Sequence, residues 1–110
     1  MEKMAARGRQ YLETIFTEKE VDYCDTRTRK SEHYAARYAA KEALLKALGT
    51  GWRDGLAFSD IEIINDDLGQ PQVFVHGEVK KIIDQHQILQ TSISISHTEE
   101  IAIAVVILEK

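Results

Sequence analysis

The stretch RYAAKEALLKALGTG, residues 37–51, decides the fold because its pattern predicts a long helix with a well-defined C-terminus. Alanine and leucine recur at helical spacing, and Gly49 can take the left-handed conformation that closes a helix. Ser31 is a candidate N-cap upstream, so we predict a helix over residues 31–48. Its predicted core face is formed by four larger side chains at helical spacing: Tyr34, Tyr38, Leu45 and Leu48.

Two charged residues of this helix have two possible interpretations. Glu42 and Lys46 are four residues apart, so they share a face in the order that favours an ion pair worth a few tenths of a kcal/mol. The alternative is a metal and anion site. The small alanines around them allow close approach, and the Gly-Thr-Gly end offers exposed backbone amides. Spacing alone leaves both interpretations open.

Two helical segments precede the long helix. Residues 2–16 have helical periodicity. Thr17 followed by Glu20 forms a capping box, which predicts the start of a second, short helix.

The second half of the chain has the pattern of strands. Residues 56–66 form a β-branched run in which Glu62 is expected to alternate outward, and Gly69 permits a turn before a strand at residues 72–76. Residues 78–89 return to helical spacing, and two apolar strands follow around a turn at residues 97–100. The last strand is apolar on both faces, which predicts a central strand. The sequence therefore predicts one α+β domain over residues 1–110, with an antiparallel sheet packed against the long helix.

Composition narrows the classes of function. The net charge of −4 argues against general nucleic-acid binding, but local basic clusters suit phosphates or an acidic protein partner. Cys24 is the single cysteine, which excludes an internal disulfide and favours a cytoplasmic location. A thiol nucleophile formed by Cys24 and His33 is a weak alternative, and the scattered histidines lack zinc-ligand spacing.

Four segments in order resemble the holo-[acyl-carrier-protein] synthases, the small phosphopantetheinyl transferases: FTEKEVDY (residues 16–23), RYAAKEALLKALGTG (37–51), FSDIEIINDDLGQPQV (58–73) and SISHTEEIAIAVVI (94–107). The resemblance covers nearly the whole chain and implies the 4′-phosphopantetheinyl transferase fold. It also implies a reaction in which 4′-phosphopantetheine moves from coenzyme A to a serine of an acyl carrier protein, releasing 3′,5′-ADP. A role in fatty acid biosynthesis is expected, although the carrier protein stays open.

The resemblance implies roles for three candidate catalytic residues. Glu42 matches the glutamate that binds Mg²⁺, a cation that prefers hard oxygen ligands. Lys46 matches the lysine that contacts the coenzyme A phosphates, and it could protonate the leaving phosphate. Asp22 matches an acidic position near the serine-binding side, where a general-base role is one interpretation.

The resemblance also implies binding residues. Arg37 and His97 match positions near the nucleotide, Arg29 and Lys30 could meet its 3′-phosphate, and Gly49, Thr50 and Gly51 would line the cleft together with Lys46. Arg7 and Arg9 lie in the helix that docks acidic carrier proteins in this family. Short members of the family are homotrimers with active sites between subunits, so we expect the same here.

The sequence departs from the family pattern at two places. The family begins with a Gly-Ile-Gly-x-Asp strand whose aspartate is a second Mg²⁺ ligand, whereas this sequence begins in the following helix. We therefore expect weaker Mg²⁺ binding and impaired or absent turnover. A misassigned start codon, an engineered truncation, a replacement ligand from elsewhere and a true loss of the strand are all compatible with the sequence. The alternative function is that of a non-catalytic relative that binds coenzyme A or a carrier protein. Trp52 and Arg53 replace the usual Ile-Gly after Gly-Thr-Gly, which could reshape the rim of the cleft.

Overall fold

A computed structural model of the protein describes residues 12–49 and 57–110. Several expectations lie outside these residues: most of the predicted first helix and the roles of Arg7, Arg9, Thr50, Gly51, Trp52 and Arg53. In the described part, no helix is long and apolar enough to cross a membrane.

Helix α1 comprises Glu18–Asp25 and begins with the predicted capping box. The Thr17 hydroxyl accepts a hydrogen bond from the Glu20 amide at 3.3 Å, and the Thr17 amide donates to Glu20 Oε1 at 2.9 Å. Cys24 lies inside this helix, and its side chain is buried. Burial raises the pKa of the Cys24 thiol to about 12, so the thiol stays protonated and the thiol-nucleophile interpretation is wrong.

Helix α2 comprises Lys30–Ala47 and ends close to the predicted boundary. The prediction that Ser31 caps it is wrong. The backbone carbonyl of Arg29 already accepts hydrogen bonds from Glu32 and His33, which places Ser31 inside the first turn. Gly49 closes the helix with a φ of +80°, as predicted, and its amide donates to the Lys46 carbonyl at 3.0 Å.

The second half of the chain contains two antiparallel hairpins and a helix. Gly69 takes the predicted positive φ of 84° in the turn of the first hairpin. The elements in order are a 3₁₀ turn at Phe58–Asp60, β1 at Ile61–Asn65, β2 at Pro71–Val75, helix α3 at Gly77–Gln85, β3 at Gln90–His97 and β4 at Ala102–Glu109.

The strands form two ladders rather than one continuous sheet in the described residues. Strand β1 pairs with β2, and β3 pairs with β4, while β2 lies beside β3 without a ladder. The prediction that β4 is a central strand is wrong for this part of the chain. It pairs only with β3, and alternate side chains remain half exposed (Ile103, Val105 and Ile107) while the others face helix α2.

The interior contains two hydrophobic clusters. One joins α2 to β1 and α3 through Leu44, Ile61 and Val79, and the other joins α1 to the start of α2 through Val21 and Tyr34. The prediction that Glu62 faces outward is wrong, because the Thr17 hydroxyl donates a hydrogen bond to Glu62 Oε2 and covers it.

Candidate active site

A buried ion pair fixes the middle of helix α2. The Lys41 ammonium donates to Glu20 Oε1 at 2.6 Å, to the Ile15 carbonyl at 2.7 Å and to the Phe58 carbonyl at 3.1 Å. All three of its protons therefore have acceptors. Glu20 Oε2 accepts from the Ile63 amide at 2.9 Å, so the pair ties α2 to α1 and β1. Burial lowers the pKa of Lys41, and the adjacent Glu20 carboxylate opposes that shift.

Sequence reasoning assigned no role to Lys41 and Glu20 beyond the capping box. A signal was present, because Lys41 precedes Leu44 and Leu45 by three and four positions and therefore lies on the core face. A lysine on that face needs a buried acceptor, which Glu20 provides.

The next residue, Glu42, points in a different direction. Successive helical residues are rotated by about 100°, so the inward Lys41 places Glu42 on the edge of the buried face. Glu42 is half-buried and Lys46 is exposed. Within residues 12–49 and 57–110, neither side chain makes an ion pair or a hydrogen bond, so the interpretation as a surface ion pair is wrong. A carboxylate and an ammonium one turn apart are both available to a ligand.

A second group of candidate residues lies at the other end of α2. His97, the last residue of β3, contacts Glu32 through a 3.0 Å hydrogen bond between Nδ1 and Oε1. Arg29 Nη1 lies 3.5 Å from the other oxygen of the same carboxylate, Oε2. The structure therefore brings the predicted Arg29 and His97 together, through a residue that sequence reasoning missed. Lys30 is exposed in the first turn of the helix.

Arg37 lies between this group and strand β1. Its guanidinium is buried, with Nε 3.3 Å from the Ile63 carbonyl and Nη2 3.3 Å from Asn65 Oδ1. One face stacks on Tyr23, 4.4 Å from the ring centroid. Arg37 also lines a cleft of about 140 Å³ with His33, Asn65 and His97. The described lining of this cleft has no carboxylate, so the cleft suits an anionic group.

The predicted residues thus form two groups along one helix. Arg29, Arg37 and His97 lie toward its N-terminal half, and Glu42, Lys46 and Gly49 lie at its C-terminal end. From Glu32 to Lys46 the helix rises by about 21 Å at 1.5 Å per residue. Asp22 lies exposed on α1.

Comparison with known proteins identifies the family of this chain. The model of the 4′-phosphopantetheinyl transferase superfamily matches residues 1–106. This chain belongs to that superfamily. The predicted family and the α+β fold are therefore confirmed.

Individual phosphopantetheinyl transferases are similar over most of their length. The chain is 44% identical over 99 residues to the holo-[acyl-carrier-protein] synthase of Geobacter sulfurreducens, covering 90% of this chain and 79% of the relative. The solved structure of the synthase from Neisseria meningitidis superposes with a TM-score of 0.86 at 32% identity, covering 99% of this chain and 87% of that one. The synthase from Helicobacter pylori, solved in complex with coenzyme A, has a TM-score of 0.78 at 34% identity over 91% of this chain and 82% of that one.

Proposed function

We propose that this protein transfers 4′-phosphopantetheine from coenzyme A to a serine hydroxyl of an apo-acyl carrier protein and releases 3′,5′-ADP. The observation that carries the proposal is the similarity to holo-[acyl-carrier-protein] synthases along nearly the whole chain. The coenzyme A complex of the Helicobacter pylori relative supports coenzyme A as the donor. Nothing in these comparisons supports the expected impairment of turnover.

Glu42 is our proposed protein ligand for Mg²⁺. The described residues contain no group of three or more His, Cys, Asp or Glu that could hold a metal by itself. A single protein carboxylate still fits Mg²⁺, because this ion usually takes one or two carboxylates and completes its coordination shell with substrate phosphates and water. Glu42 offers a half-buried carboxylate oxygen with no cation beside it in the described part. Mg²⁺ bound there would neutralise charge on the pyrophosphate of coenzyme A.

Lys46 and Asp22 are the proposed proton-handling residues. Lys46 stands one turn from Glu42, exposed, so its ammonium can contact the pyrophosphate and give a proton to the departing 3′,5′-ADP. Asp22 is an exposed carboxylate on α1 that could take the proton of the carrier serine.

The nucleotide is proposed to bind with cations around its phosphates. Arg37 and His97 line the carboxylate-free cleft, and Arg29 and Lys30 lie at the start of α2. The helix end at Gly49, with Thr50 and Gly51 after it, would approach the nucleotide through backbone amides. Arg7 and Arg9 are the proposed docking residues for the acidic carrier protein.

A homotrimer with sites between subunits is the proposed assembly. Ile103, Val105 and Ile107 are each more than half exposed and form an apolar stripe on β4, which favours coverage by another protein surface. Glu32, which contacts His97, and Lys46 are also about 21 Å apart along α2. The 3′-phosphate and the pyrophosphate of coenzyme A are attached to one ribose, so two copies of the chain could hold them from opposite sides.

We further propose that residues 1–110 form one catalytic domain that works in the cytoplasm and serves fatty acid biosynthesis. A free, buried Cys24 is compatible with a reducing compartment.

Mass spectrometry of the carrier protein tests the proposed function. The purified chain is incubated with coenzyme A and an apo-acyl carrier protein, with and without Mg²⁺. We expect a 4′-phosphopantetheine adduct on the carrier serine and free 3′,5′-ADP when Mg²⁺ is present. Binding of coenzyme A without any adduct would instead favour the non-catalytic relative.

A further inference from the structure

One carboxylate contacts two of the proposed phosphate-binding residues. Glu32 Oε1 is 3.0 Å from His97 Nδ1, and Glu32 Oε2 is 3.5 Å from Arg29 Nη1. The three residues belong to two elements. Arg29 is the N-cap residue of α2, Glu32 lies in the first turn of the same helix, and His97 is the last residue of β3. Glu32 therefore connects the start of the helix to the end of the strand.

A carboxylate beside a phosphate site would ordinarily repel the ligand, but Glu32 is shielded. Its side chain is only 11% exposed, and each oxygen faces a nitrogen donor. The more exposed carboxylates, Glu99 and Glu100, line a larger neighbouring cleft, which Arg29, Glu32 and His97 also line. A phosphate in the smaller cleft would thus meet His97 and Arg37 rather than a bare carboxylate.

A second ring packs against the His97 imidazole. The centroid of His33 lies 5.0 Å from that of His97 in an edge-on arrangement, and Tyr23 packs edge-on against His33 at 5.7 Å. Burial lowers the pKa of His33, and His97, Arg37 and Arg27 add to that shift against a weaker opposing effect of Glu32. His33 is therefore a neutral packing ring at pH 7.

We propose that Glu32 is the positioning residue that orients His97 toward a nucleotide phosphate, and that the ring of His33 holds the imidazole in that orientation. The inference rests on the proposed function, because it assigns the phosphate to coenzyme A. A histidine that donates Nδ1–H to a carboxylate has its tautomer fixed, so Nε2 is the nitrogen left for the ligand. Glu32 supplies that acceptor, and the His33 ring opposes rotation about the bond to Cβ.

Replacement of Glu32 tests its positioning role through the KM for coenzyme A. Glu32→Leu keeps the approximate size of the side chain and removes both acceptors, and Glu32→Gln is a milder variant that keeps one acceptor. We expect the KM for coenzyme A to rise about 10-fold in Glu32→Leu and less in Glu32→Gln, with kcat close to that of the wild type. Glu78→Leu, at an exposed carboxylate on α3 paired with Lys81, is the matched control and should leave KM unchanged.

The tautomer of His97 provides a readout that does not require activity. The ¹⁵N spectrum of the wild type should show the Nδ1–H tautomer for neutral His97, and Glu32→Leu should shift it toward Nε2–H. For His33, we expect His33→Ala to raise KM by about 2- to 10-fold, and His33→Phe to raise it less because this variant keeps a ring against the imidazole.

These measurements distinguish a failure of the positioning role of Glu32 from a failure of the proposed function. An unchanged tautomer or an unchanged KM in Glu32→Leu would overturn it, and so would a His33→Phe variant as impaired as His33→Ala. A wild-type protein that fails to transfer phosphopantetheine, with the tautomer shift still present, would instead overturn the proposed function.

Discussion

Lys41 Nζ lies 2.6 Å from Glu20 Oε1, and both side chains are fully buried. This pair holds the middle of α2 against α1 and β1, because Glu20 also accepts from the backbone of Thr17 and Ile63. The position of Glu42, one residue further along the helix, depends on that attachment. Buried ion pairs are costly to break, since removal of one partner leaves a charge without compensation.

Lys41→Met should therefore destabilise the fold by about 3–5 kcal/mol, because it leaves the Glu20 carboxylate buried without its cation. Urea unfolding monitored by circular dichroism measures the change. Lys80→Met removes an exposed lysine that pairs with Asp84, and it should change the free energy of unfolding by less than about 1 kcal/mol. Equal effects of the two substitutions would contradict the account of the buried pair.

The pKa of His33 predicts a specific pH dependence of stability. Its pKa is lowered in the folded protein from 6.5, so as the pH falls the unfolded chain takes up the proton first. The free energy of unfolding should thus decrease as the pH falls through 6.5 toward the lower folded pKa, and the contribution of neutral His33 should be complete above 6.5.

Unfolding of the wild type and His33→Phe from about pH 8 to about pH 5 checks this slope. The substitution should flatten it, and His86→Phe, at an exposed histidine after α3, should not. A slope that is the same in His33→Phe and the wild type would assign the dependence to other groups.

Cys24 should not react in the native state. Its side chain is buried and its pKa is raised to about 12, so almost no thiolate is present near pH 8. Iodoacetamide followed by mass spectrometry should leave the native protein unmodified and label it fully after unfolding in urea. Rapid labelling of the native chain would show that α1 opens more readily than its packing indicates.

The apolar stripe on β4 predicts self-association. Val105→Lys places a charge in the middle of the stripe and should shift the protein toward monomer in sedimentation velocity experiments. Turnover should fall with the loss of assembly if the sites lie between subunits. Gln85→Lys, at an exposed residue at the end of helix α3 and outside the stripe, is the comparison. A monomeric wild type with full activity would contradict the proposed assembly.

Lys46 is predicted to act at the chemical step. Lys46→Met should lower kcat by about 100-fold or more, because loss of a general acid typically costs 10²–10⁴ in rate. The free energy of unfolding should stay within about 0.5 kcal/mol of the wild type, since Lys46 is exposed and makes no ion pair within the described residues. A variant with normal kcat would remove Lys46 from the proposed mechanism.

Sequence patterns within a few residues correctly predicted helix ends and turns. The incorrect predictions concern side chains whose contacts are distant in the sequence. Gly49 and the Thr17–Glu20 capping box act within a few residues, so the sequence was sufficient to place them. Glu62 was misplaced because its cover, Thr17, lies 45 positions away in the chain.

The candidate site residues also divide into those recognisable from nearby sequence and those that depend on distant partners. Glu42 and Lys46 could be identified from spacing and neighbours on one helix. Glu32 could not, because its role depends on His97, 65 positions away. The inward direction of Lys41 had a signal in the core spacing of α2, but its partner Glu20 belongs to another helix and required the structure.

The most direct test is the rate of holo-carrier-protein formation by Glu42→Gln compared with Glu78→Gln, measured across a Mg²⁺ titration. The two variants make the same chemical change, at a half-buried carboxylate without a cation partner in the described part and at an exposed one paired with Lys81. We predict that Glu42→Gln loses Mg²⁺-dependent transfer on the order of 100-fold while Glu78→Gln keeps the wild-type rate and Mg²⁺ response. Equal rates and equal Mg²⁺ dependence in the two variants would contradict the central claim that Glu42 holds the catalytic metal.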